Sequence, residues 1–373
     1  MKVLQILPEL NSGGVERGTL EVAGRLVAEG HEALVVSNGG RLVAELERSG
    51  ARHFARPVHR KRLSTLLQIA PLRRLLAAER PDILHLRSRA PAWVAWLAWR
   101  KMNPATRPRL VCTVHGFYSV NAYSAVMTRG ERLIAVSDSV RAYVLANYKR
   151  VEPARLTTIH RGVDPAAYPT GWRAPDAWRT RWAEEFPAMR GRRLLTLPGR
   201  LTRWKGAEDF IAILADLRRR GLPVHGALVG ETHPKKRAYE GELRAAIAAA
   251  GLTDHVTLTG VRGDLREIMA ESTAVLSLSL DPEAFGRTTL EALCLGRPVA
   301  GYAHGGVGEQ LAALFPEGAV PPGDRAAMAD KLTGWLAPGG GPRTTPGRNA
   351  DFTLDRMLER TLAVYRELAA APR

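Results

Sequence analysis

Two glutamates, Glu283 and Glu291, stand with seven residues between them in the stretch DPEAFGRTTLEALCLGRPVAG, residues 281–301. A strand-like run, AVLSLSL, comes before the first glutamate, and the second lies in a helix-like segment that Gly296 and Pro298 end. Because a carboxylate can accept hydrogen bonds from two vicinal hydroxyls, each acid suits a sugar or ribose ring. The alternatives are an acid that stabilises the helix start at Glu283 and a surface acid at Glu291.

The residues between these glutamates are predicted to begin the helix. Four of them would have backbone N–H groups at its start, namely Phe285, Gly286, Arg287 and Thr288. Such N–H groups, together with the helix dipole, bind phosphate without a metal ion. The pattern therefore predicts a phosphate site with one acid on either side of it.

Two further loops follow predicted strands and could hold an anion. Gly13 and Gly14 come after the first strand, where glycines let backbone N–H groups approach a phosphate, although their spacing is not that of a dinucleotide fingerprint. Arg200 and Lys205 lie five residues apart in PGRLTRWKG, 198–206, and two fixed cations suit a diphosphate leaving group. The alternatives are an ordinary strand–helix turn and a solvated basic loop.

The elements that would position these groups alternate between short apolar strands and helices. This alternation predicts parallel sheets in two α/β domains, 1–168 and 169–350, with a ligand cleft at the carboxyl ends of the strands. The Pro/Trp/Arg-rich stretch 165–182 is interpreted as a linker, and 337–349 as a flexible connector. A helix within 351–373 ends the chain and is predicted to pack back on the first domain.

The composition is that of a globular protein, with 45% apolar and 24% charged residues among 373. No apolar run approaches the roughly 20 residues of a membrane helix, and the start of the chain reads as a strand, not as a signal peptide. Cys112 and Cys294 lie in apolar contexts and are predicted core residues. We expect no metal site, because the chain has neither a Cys/His pattern nor an Asp-any-Asp pair.

Five segments carry a resemblance to a known family: GGVERG at 13–18, TVHG at 113–116, RGVD at 161–164, GRLTRWKG at 199–206 and EAFGRTTLEALCLGRPV at 283–299. They resemble the family-4 retaining glycosyltransferases of GT-B fold, which have two Rossmann-like parallel-sheet domains facing a central cleft. The resemblance spans nearly the whole chain, and its last segment is highly specific. The stretches LPELNSGGVERGTLE and HGFYSVNAYSAVMTRGERLIAVS are most similar to bacterial transferases that build the lipopolysaccharide core.

The resemblance implies roles for residues of the second domain. Arg200 and Lys205 match the pair that holds the donor diphosphate. Glu291 matches the acid that binds the ribose hydroxyls, and Glu283 the acid that contacts the donor sugar. The backbone of 285–288 matches the turn that contacts phosphate and sugar.

In the first domain, Gly14 matches the loop glycine close to the donor diphosphate. His115 matches the residue that faces the sugar near the reacting carbon, so His115 and Glu283 are predicted at the catalytic centre, neither as a nucleophile. The alternative for His115 is a structural histidine at a strand end. One departure is Arg161, where the family often has Asn, and we expect it to affect the interdomain loop only.

The activity implied is metal-independent, retaining transfer of a hexose, with glucose the first choice, from a UDP-sugar to a lipopolysaccharide core or similar glycan. No cofactor is expected. One alternative is a sugar-nucleotide epimerase on a similar scaffold, which would need no acceptor. The other is a basic nucleic-acid-binding protein, but no stacking platform or binding motif is found, so no nucleic-acid partner is expected.

The net charge of +17 is concentrated in one part of the chain. Residues 52–109 contain 14 basic and 2 acidic residues, a net charge of +12. Trp93, Trp96 and Trp99 recur there among arginines and leucines, a mixture typical of membrane interfaces. We expect a cytoplasmic protein attached peripherally to the anionic inner leaflet, where a lipid-linked glycan acceptor resides. The alternatives are core tryptophans and a solvated basic face.

Overall fold

The computed structural model describes residues 1–11, 13–60, 62–232 and 237–372. Ser12 of the first glycine-containing loop and Lys61 of the basic segment lie outside these residues. The chain forms two units, one from Met1–Gly162 with Leu354–Arg373 and the other from Val163–Thr353. The sequence had placed the domain bounds at 168 and 350.

The first unit is built on a parallel sheet. Its strands are β1 (Lys2–Ile6), β2 (Glu32–Ser37), β3 (Arg52–Ala55), β4 (Ile83–Leu86), β5 (Arg109–Val114), β6 (Arg132–Ala135) and β7 (Leu156–Thr158). Within the described residues the strand order is β3-β2-β1-β4-β5-β6-β7, and every pairing is parallel. The central strands are buried along nearly their whole length, as parallel strands covered on both faces require.

Helices cover this sheet. They are α1 (Gly14–Ala28), α2 (Val43–Arg48), α3 (Ile69–Glu79), α4 (Arg89–Trp99) and α5 (Asp138–Asn147), with 3-10 helices at Leu63–Gln68, Ser124–Thr128 and Pro153–Arg155. The last helix of the chain, Leu354–Ala370, packs its apolar face here, with Leu362 and Tyr365 fully buried in one cluster with Leu26 of α1.

The second unit contains the other parallel sheet. Its strands are β8 (Arg193–Pro198), β9 (Val224–Val229), β10 (Val256–Gly260), β11 (Ala274–Ser277), β12 (Val299–Tyr302) and β13 (Ala319–Val320). Among the residues that the structure describes, their order is β10-β9-β8-β11-β12-β13. Apolar strands alternate with amphipathic helices here too, so both units are Rossmann-like α/β folds, as predicted.

The helices of the second unit are α6 (Asp176–Glu185), α7 (Ala207–Arg219), α8 (Arg237–Ala249), α9 (Leu265–Glu271), α10 (Arg287–Cys294), α11 (Gly305–Leu314) and α12 (Arg325–Leu336), so that the last helix of the chain is α13. Among the described residues of this unit, 3-10 helices lie at Pro187–Met189, Arg203–Lys205 and Pro316–Gly318.

The linker prediction for residues 165–182 is wrong. Trp178 and Trp182 of α6 are each 8% exposed and stack with ring centroids 5.1 Å apart. The indole Nε1 of Trp178 donates to Asp264 Oδ2 at 2.8 Å. This stretch is therefore a packed part of the second unit. Its proline content had suggested a loop, but two tryptophans form the buried apolar face of α6.

The connector predicted at 337–349 is anchored to the second unit. The backbone N–H groups of Arg343 and Thr344 donate to the Glu317 carboxylate at 2.9 and 2.8 Å. Asn349 is buried and accepts a hydrogen bond from the Phe352 N–H at 2.9 Å. A run of glycines and prolines here indicates turns and not flexibility.

Two local predictions are confirmed. Ser137 caps α5, its hydroxyl oxygen accepting a hydrogen bond from Val140 N–H at 3.2 Å. Cys112 and Cys294 are both buried, and burial raises the pKa of the Cys112 thiol to about 12. None of the described helices is long and apolar enough to cross a membrane.

Candidate functional site

The motifs of the second unit meet at one edge of its sheet. Strand β8 pairs with β11, and β11 pairs with β12, all in parallel. Their carboxyl ends therefore lie side by side, and the loops that follow them are neighbours. The site is built from three loops, residues 199–206, 278–286 and 303–306.

Close backbone contacts lock the first two loops together. Leu280 N–H donates to the carbonyl oxygen of Trp204 at 2.7 Å. Gly206 has φ +75, and a Cβ there would overlap the backbone oxygen of Leu278. Only glycine fits this position, which is why the loop after β8 ends in Lys-Gly.

Lys205 and Glu283, predicted separately from two motifs, form an ion pair. Lys205 Nζ lies 2.7 Å from Glu283 Oε1, and the two side chains are 19% and 15% exposed. The hydroxyl of Ser279 donates to the same carboxylate oxygen at 2.5 Å, and the ring of Trp204 lies 4.6 Å from Lys205 Nζ. Both charged groups are half-buried and fixed in position. When a ligand binds, the cation can interact with an anionic group and the carboxylate can accept a hydrogen bond from a hydroxyl.

The third loop also contacts the segment that carries Glu283, and no residue of this loop was predicted from the sequence. Gly306 N–H donates to the Glu283 carbonyl oxygen at 2.8 Å, and His304 Nε2 lies 2.7 Å from the Ser279 carbonyl oxygen. A Cβ on Gly305 would overlap the Glu283 backbone. The signal available in the sequence was a Gly-Gly pair, Gly305 and Gly306, shortly after a predicted strand.

Helix α10 begins where the sequence predicted. Gly286 is its N-cap with φ +86, and Arg287 and Thr288 form its first turn, both half-buried. Arg287 Nε lies 3.7 Å from Glu291 Oε1, and the two side chains are 22% and 13% exposed. The start of α10 therefore carries a cation and a carboxylate beside its N–H groups.

Phe285 lies in the turn before α10 with its side chain in the core. Its side chain is 5% exposed, and its ring centroid lies 6.0 Å from that of Phe352. Its carbonyl oxygen accepts a hydrogen bond from Gln310 Nε2 at 2.6 Å. The ring thus anchors the turn in the core.

Arg200 lies in the loop after β8, and its side chain is exposed. It makes no ion pair with a described residue. The next residue fixes the loop, because Leu201 N–H donates to the Glu231 carbonyl oxygen at 2.9 Å. Of the two predicted cations, Lys205 is therefore held in place and Arg200 points into solvent.

In the first unit, the two predicted glycines begin α1. Gly13 is its N-cap, with φ +139, and its carbonyl oxygen accepts a hydrogen bond from Arg17 N–H at 3.0 Å. The Gly14 carbonyl oxygen accepts one from Arg161 Nη2. Arg161 is 8% exposed, so the expectation that it affects only an interdomain loop is wrong. It is a buried residue that contacts α1.

His115 follows β5 at the carboxyl edge of the first sheet. Its backbone N–H donates to the Tyr118 hydroxyl at 3.2 Å. Its Nε2 is buried and has no hydrogen-bond partner in the part of the chain that the structure describes. Burial, together with the charges of Arg87 and Arg161, lowers the pKa of His115 well below its usual value. The imidazole is therefore neutral, with one nitrogen that a ligand could engage.

Beneath His115 lies a buried polar network that sequence reasoning did not find. His85 is fully buried, with Nδ1 2.6 Å from the Tyr365 hydroxyl and Nε2 2.7 Å from the Thr113 hydroxyl. Arg87 is 2% exposed and donates from Nη1 to Gln5 Oε1 at 2.8 Å, while its Nε has no partner among the described residues. These groups come from β1, β4, β5 and α13, so no short motif contains them.

The tryptophans of the basic segment divide into two classes. Trp99 is 9% exposed and donates from Nε1 to the Pro108 carbonyl oxygen at 2.7 Å, so it belongs to the core and not to an interface. Trp93 and Trp96 are half-buried, with ring centroids 5.7 Å apart, and the guanidinium carbon of Arg129 lies 4.1 Å from the Trp96 ring.

Beside Trp93 lies a pocket with a volume of about 350 Å³. Its lining is mostly apolar and includes Trp93, Tyr123 and Leu66, with Arg60 and Arg62 among the other residues. Three leucines of the adjoining 3-10 helix form what we call the leucine surface: Leu63 is 86% exposed, Leu66 42% and Leu67 74%. Such a cluster of exposed large apolar side chains marks an interaction surface.

Two family models match most of the chain. Residues 12–167 match the model described as Glycosyltransferase Family 4, and residues 179–350 match Glycosyl transferases group 1.

The curated relatives include several transferases. The chain is 31% identical over 287 residues to the 2-deoxystreptamine N-acetyl-D-glucosaminyltransferase of Streptomyces fradiae, covering 71% of this chain and 64% of that one. It is 26% identical over 255 residues to the lipopolysaccharide core biosynthesis mannosyltransferase LpcC of Rhizobium leguminosarum bv. viciae, covering 65% and 66%. The chain thus spans slightly less than two thirds of the length of each relative.

Solved structures match over the full length. A glycosyltransferase from Rickettsia africae ESF-5 gives a TM-score of 0.84 at 27% identity, covering 100% of this chain and 99% of that chain. Anabaena HepE in complex with UDP-glucose gives a TM-score of 0.81 at 19% identity, covering 98% and 100%. At the latter identity the likeness is one of fold.

Proposed function

The chain belongs to the family-4 glycosyltransferases of GT-B fold, and on that premise we propose that it transfers a hexose from a UDP-sugar to a glycan acceptor with retention of configuration. The observation that carries the proposal is the Lys205–Glu283 pair, 2.7 Å apart, at the carboxyl ends of two neighbouring strands. A cation for phosphate and a carboxylate for sugar hydroxyls are what a nucleotide-sugar site needs side by side.

The donor's diphosphate is assigned to Lys205, to exposed Arg200 and to the N–H groups of α10. A diphosphate that reached Lys205 would take over part of its interaction with Glu283, whose oxygens could then accept the sugar hydroxyls. Glu291, one turn into α10, is assigned to the ribose. The charge that builds on the leaving phosphate is balanced by these cations, so no metal ion is required in this proposal.

Retention follows from chemistry on one face of the sugar. The bond from the anomeric carbon to the phosphate oxygen breaks, and its electron pair goes to the diphosphate. The acceptor hydroxyl forms the new bond on the same face and passes its proton to that departing phosphate. Neutral His115, with Nε2 unpartnered among the described residues, is assigned to a hydrogen bond with the sugar near the reacting carbon.

The acceptor is proposed to be a lipid-linked core oligosaccharide at the anionic inner leaflet. The named activity of LpcC supports this choice, although the aminoglycoside relative is more similar in sequence. The leucine surface beside Arg60 and Arg62 supports membrane contact, since exposed leucines flanked by arginines suit an anionic bilayer surface.

The activity is tested by measuring nucleotide release from a panel of UDP-, GDP- and ADP-hexoses, with and without extracted core lipid. We expect release from a UDP-hexose that rises when the acceptor is added, and a product whose anomeric proton coupling in NMR matches that of the donor. Conversion of the donor sugar without an acceptor would support the epimerase instead. Release that no acceptor stimulates would contradict the transferase.

The membrane partner is tested by co-sedimentation with vesicles containing phosphatidylglycerol. Replacing Leu63 and Leu67 by Glu should reduce binding at least tenfold, because two charged side chains would have to enter the apolar layer. Val261→Glu is the matched control, since Val261 is 61% exposed but lies in the second unit. Binding that the double variant leaves intact, or that salt does not weaken, would remove the membrane from the proposal.

A further inference from the structure

Arg161 is a buried charged residue that reaches under the first turn of α1. It is 8% exposed, and its Nη2 donates to the Gly14 carbonyl oxygen. By the helical pattern this carbonyl also accepts the N–H of Gly18, so Arg161 occupies its second acceptor position. The guanidinium thus fastens the turn that carries the Gly13–Gly14 loop.

Gly18 provides the space that the guanidinium needs. A Cβ built on Gly18 would overlap Nη2, Nη1 and Cζ of Arg161. Glycine in a helix interior is unfavourable relative to alanine, so an apolar or polar side chain would be the ordinary choice at this position. The absence of a side chain at Gly18 therefore leaves the space in α1 that the Arg161 guanidinium occupies.

The same guanidinium is close enough to affect the other predicted site group of this unit. The charge of Arg161 is one cause of the lowered pKa of His115, after burial and Arg87. Burying an arginine is unfavourable unless its interactions compensate, and the bond to the Gly14 carbonyl oxygen offsets part of that cost.

We infer that Arg161 is a positioning residue that holds the first turn of α1, and with it the Gly13–Gly14 loop, in the conformation that contacts the donor diphosphate. Gly18 is required because it admits the guanidinium. This inference rests on the proposed function, and it adds a residue pair that acts through α1 without touching the substrate.

The test is a double-mutant cycle with Arg161→Asn, Gly18→Ala and the combined variant. Two readouts are taken: hydrogen exchange of the Arg17 and Gly18 amides without ligand, and steady-state kinetics with the donor. In the wild-type background, Gly18→Ala should displace the guanidinium, so that either single variant raises exchange and donor KM about tenfold while kcat changes less than threefold.

We expect Gly18→Ala to have opposite effects on hydrogen exchange in the wild-type and Arg161→Asn backgrounds. A general loss of stability would not reverse the direction of the effect. In the Arg161→Asn background the clash is gone, so Gly18→Ala should slow exchange about fivefold, as alanine favours a helix over glycine, and leave KM unchanged. Arg161→Lys keeps one donor and should stay within threefold of wild type in KM. The matched control is Arg155→Asn, which removes a similar bond from an arginine to a carbonyl, that of Gly130, and should change neither readout.

Two results would overturn the inference. One is an equal effect of Gly18→Ala in both backgrounds, and the other is a donor KM for Arg161→Asn within twofold of wild type. If the wild-type protein turns over no nucleotide sugar, the proposed function fails and the role toward the donor fails with it. The exchange cycle then still shows whether Arg161 fastens α1, so the two failures are distinguishable.

Discussion

The candidate site of the second unit and the polar groups around His115 in the first unit differ in how they hold charge. In the second unit, Lys205 pairs with Glu283 and Arg287 lies beside Glu291, with every one of these side chains between 13% and 22% exposed. In the first unit, fully buried His85 bonds the Tyr365 hydroxyl, and Arg87, at 2% exposure, donates to the Gln5 amide oxygen. One region keeps its charges compensated and within reach, and the other keeps polar groups buried.

This difference indicates how each unit meets a ligand. Compensated charges at the edge of a sheet can change partners when a diphosphate arrives, with little change in solvation. A buried imidazole is neutral and can offer a hydrogen bond but not a charge. The second unit is therefore suited to bind an anionic ligand, whereas His115 of the first unit is suited to form a hydrogen bond without contributing charge.

The largest expected effect comes from removing the paired cation of the second unit. Lys205→Ala should lower kcat/KM for the donor by about 10²–10³, because charge on the leaving phosphate loses a fixed partner. Steady-state kinetics measures this. Lys331→Ala is the control, since Lys331 donates to the Glu317 carbonyl oxygen elsewhere in the unit. An equal loss of kcat/KM in the two variants would mean that removing any lysine of the unit lowers activity, and would contradict a specific role for Lys205.

A smaller effect is expected at the ribose position. Glu291→Ala should weaken donor binding by roughly 1–3 kcal/mol through lost hydrogen bonds to the ribose hydroxyls. Calorimetric titration with the donor measures it. Glu240→Ala on α8 is matched, because Glu240 also pairs with an arginine four residues away, Arg244, at 2.8 Å. Unchanged affinity in Glu291→Ala would remove this residue from the site.

The sequence could predict that Lys205 and Glu283 lie in loops, because each follows a short apolar strand. Lys205 and Glu283 were each assigned from local motifs, and parallel pairing of β8 with β11 then brings them together. Both Rossmann-like units were likewise readable, because alternating apolar strands and helices are local patterns.

The buried network of the first unit could not be predicted in the same way. His85 meets Tyr365, 280 residues later, and a pattern search has no signal for such a contact. Arg161 looked like a loop residue, since a basic side chain is usually exposed. Residues 165–182 were predicted to be a linker for a related reason. Their prolines and arginines are typical of an exposed loop, so the two buried tryptophans of α6 were not recognised as a helix face.

Changes in the buried network of the first unit should lower the free energy of unfolding, whereas changes in the paired charges of the second unit should lower donor affinity. Tyr365→Phe leaves His85 Nδ1 without its partner and should lower the free energy of unfolding by about 2 kcal/mol, with donor affinity unchanged. Denaturant titration measures the first quantity. Tyr302→Phe, which removes a hydroxyl bond of equal length, 2.6 Å to Asp209, is the matched change in the second unit. A loss of donor affinity in Tyr365→Phe without a loss of stability would show that the buried network affects binding, contrary to this expectation.

A further effect concerns the pH dependence of stability. Burial lowers the pKa of His85 and His115 well below 6.5, so the unfolded chain binds protons at a higher pH than the folded one. The free energy of unfolding should therefore be constant above pH 6.5 and fall below it, by at most about 1.4 kcal/mol per pH unit for each histidine. His85→Gln should flatten the fall in a pH series of denaturant titrations. A stability that rises on acidification would contradict neutral histidines.

We propose that the paired charges of the second unit bind a nucleotide sugar without a metal ion. Titration of the wild-type protein with UDP-hexoses, in EDTA and again in magnesium, tests it most directly. We expect saturable binding with the same affinity in both buffers, and at least tenfold weaker binding for Lys205→Ala. The absence of binding to every nucleotide sugar, or binding that needs added magnesium, would contradict the account.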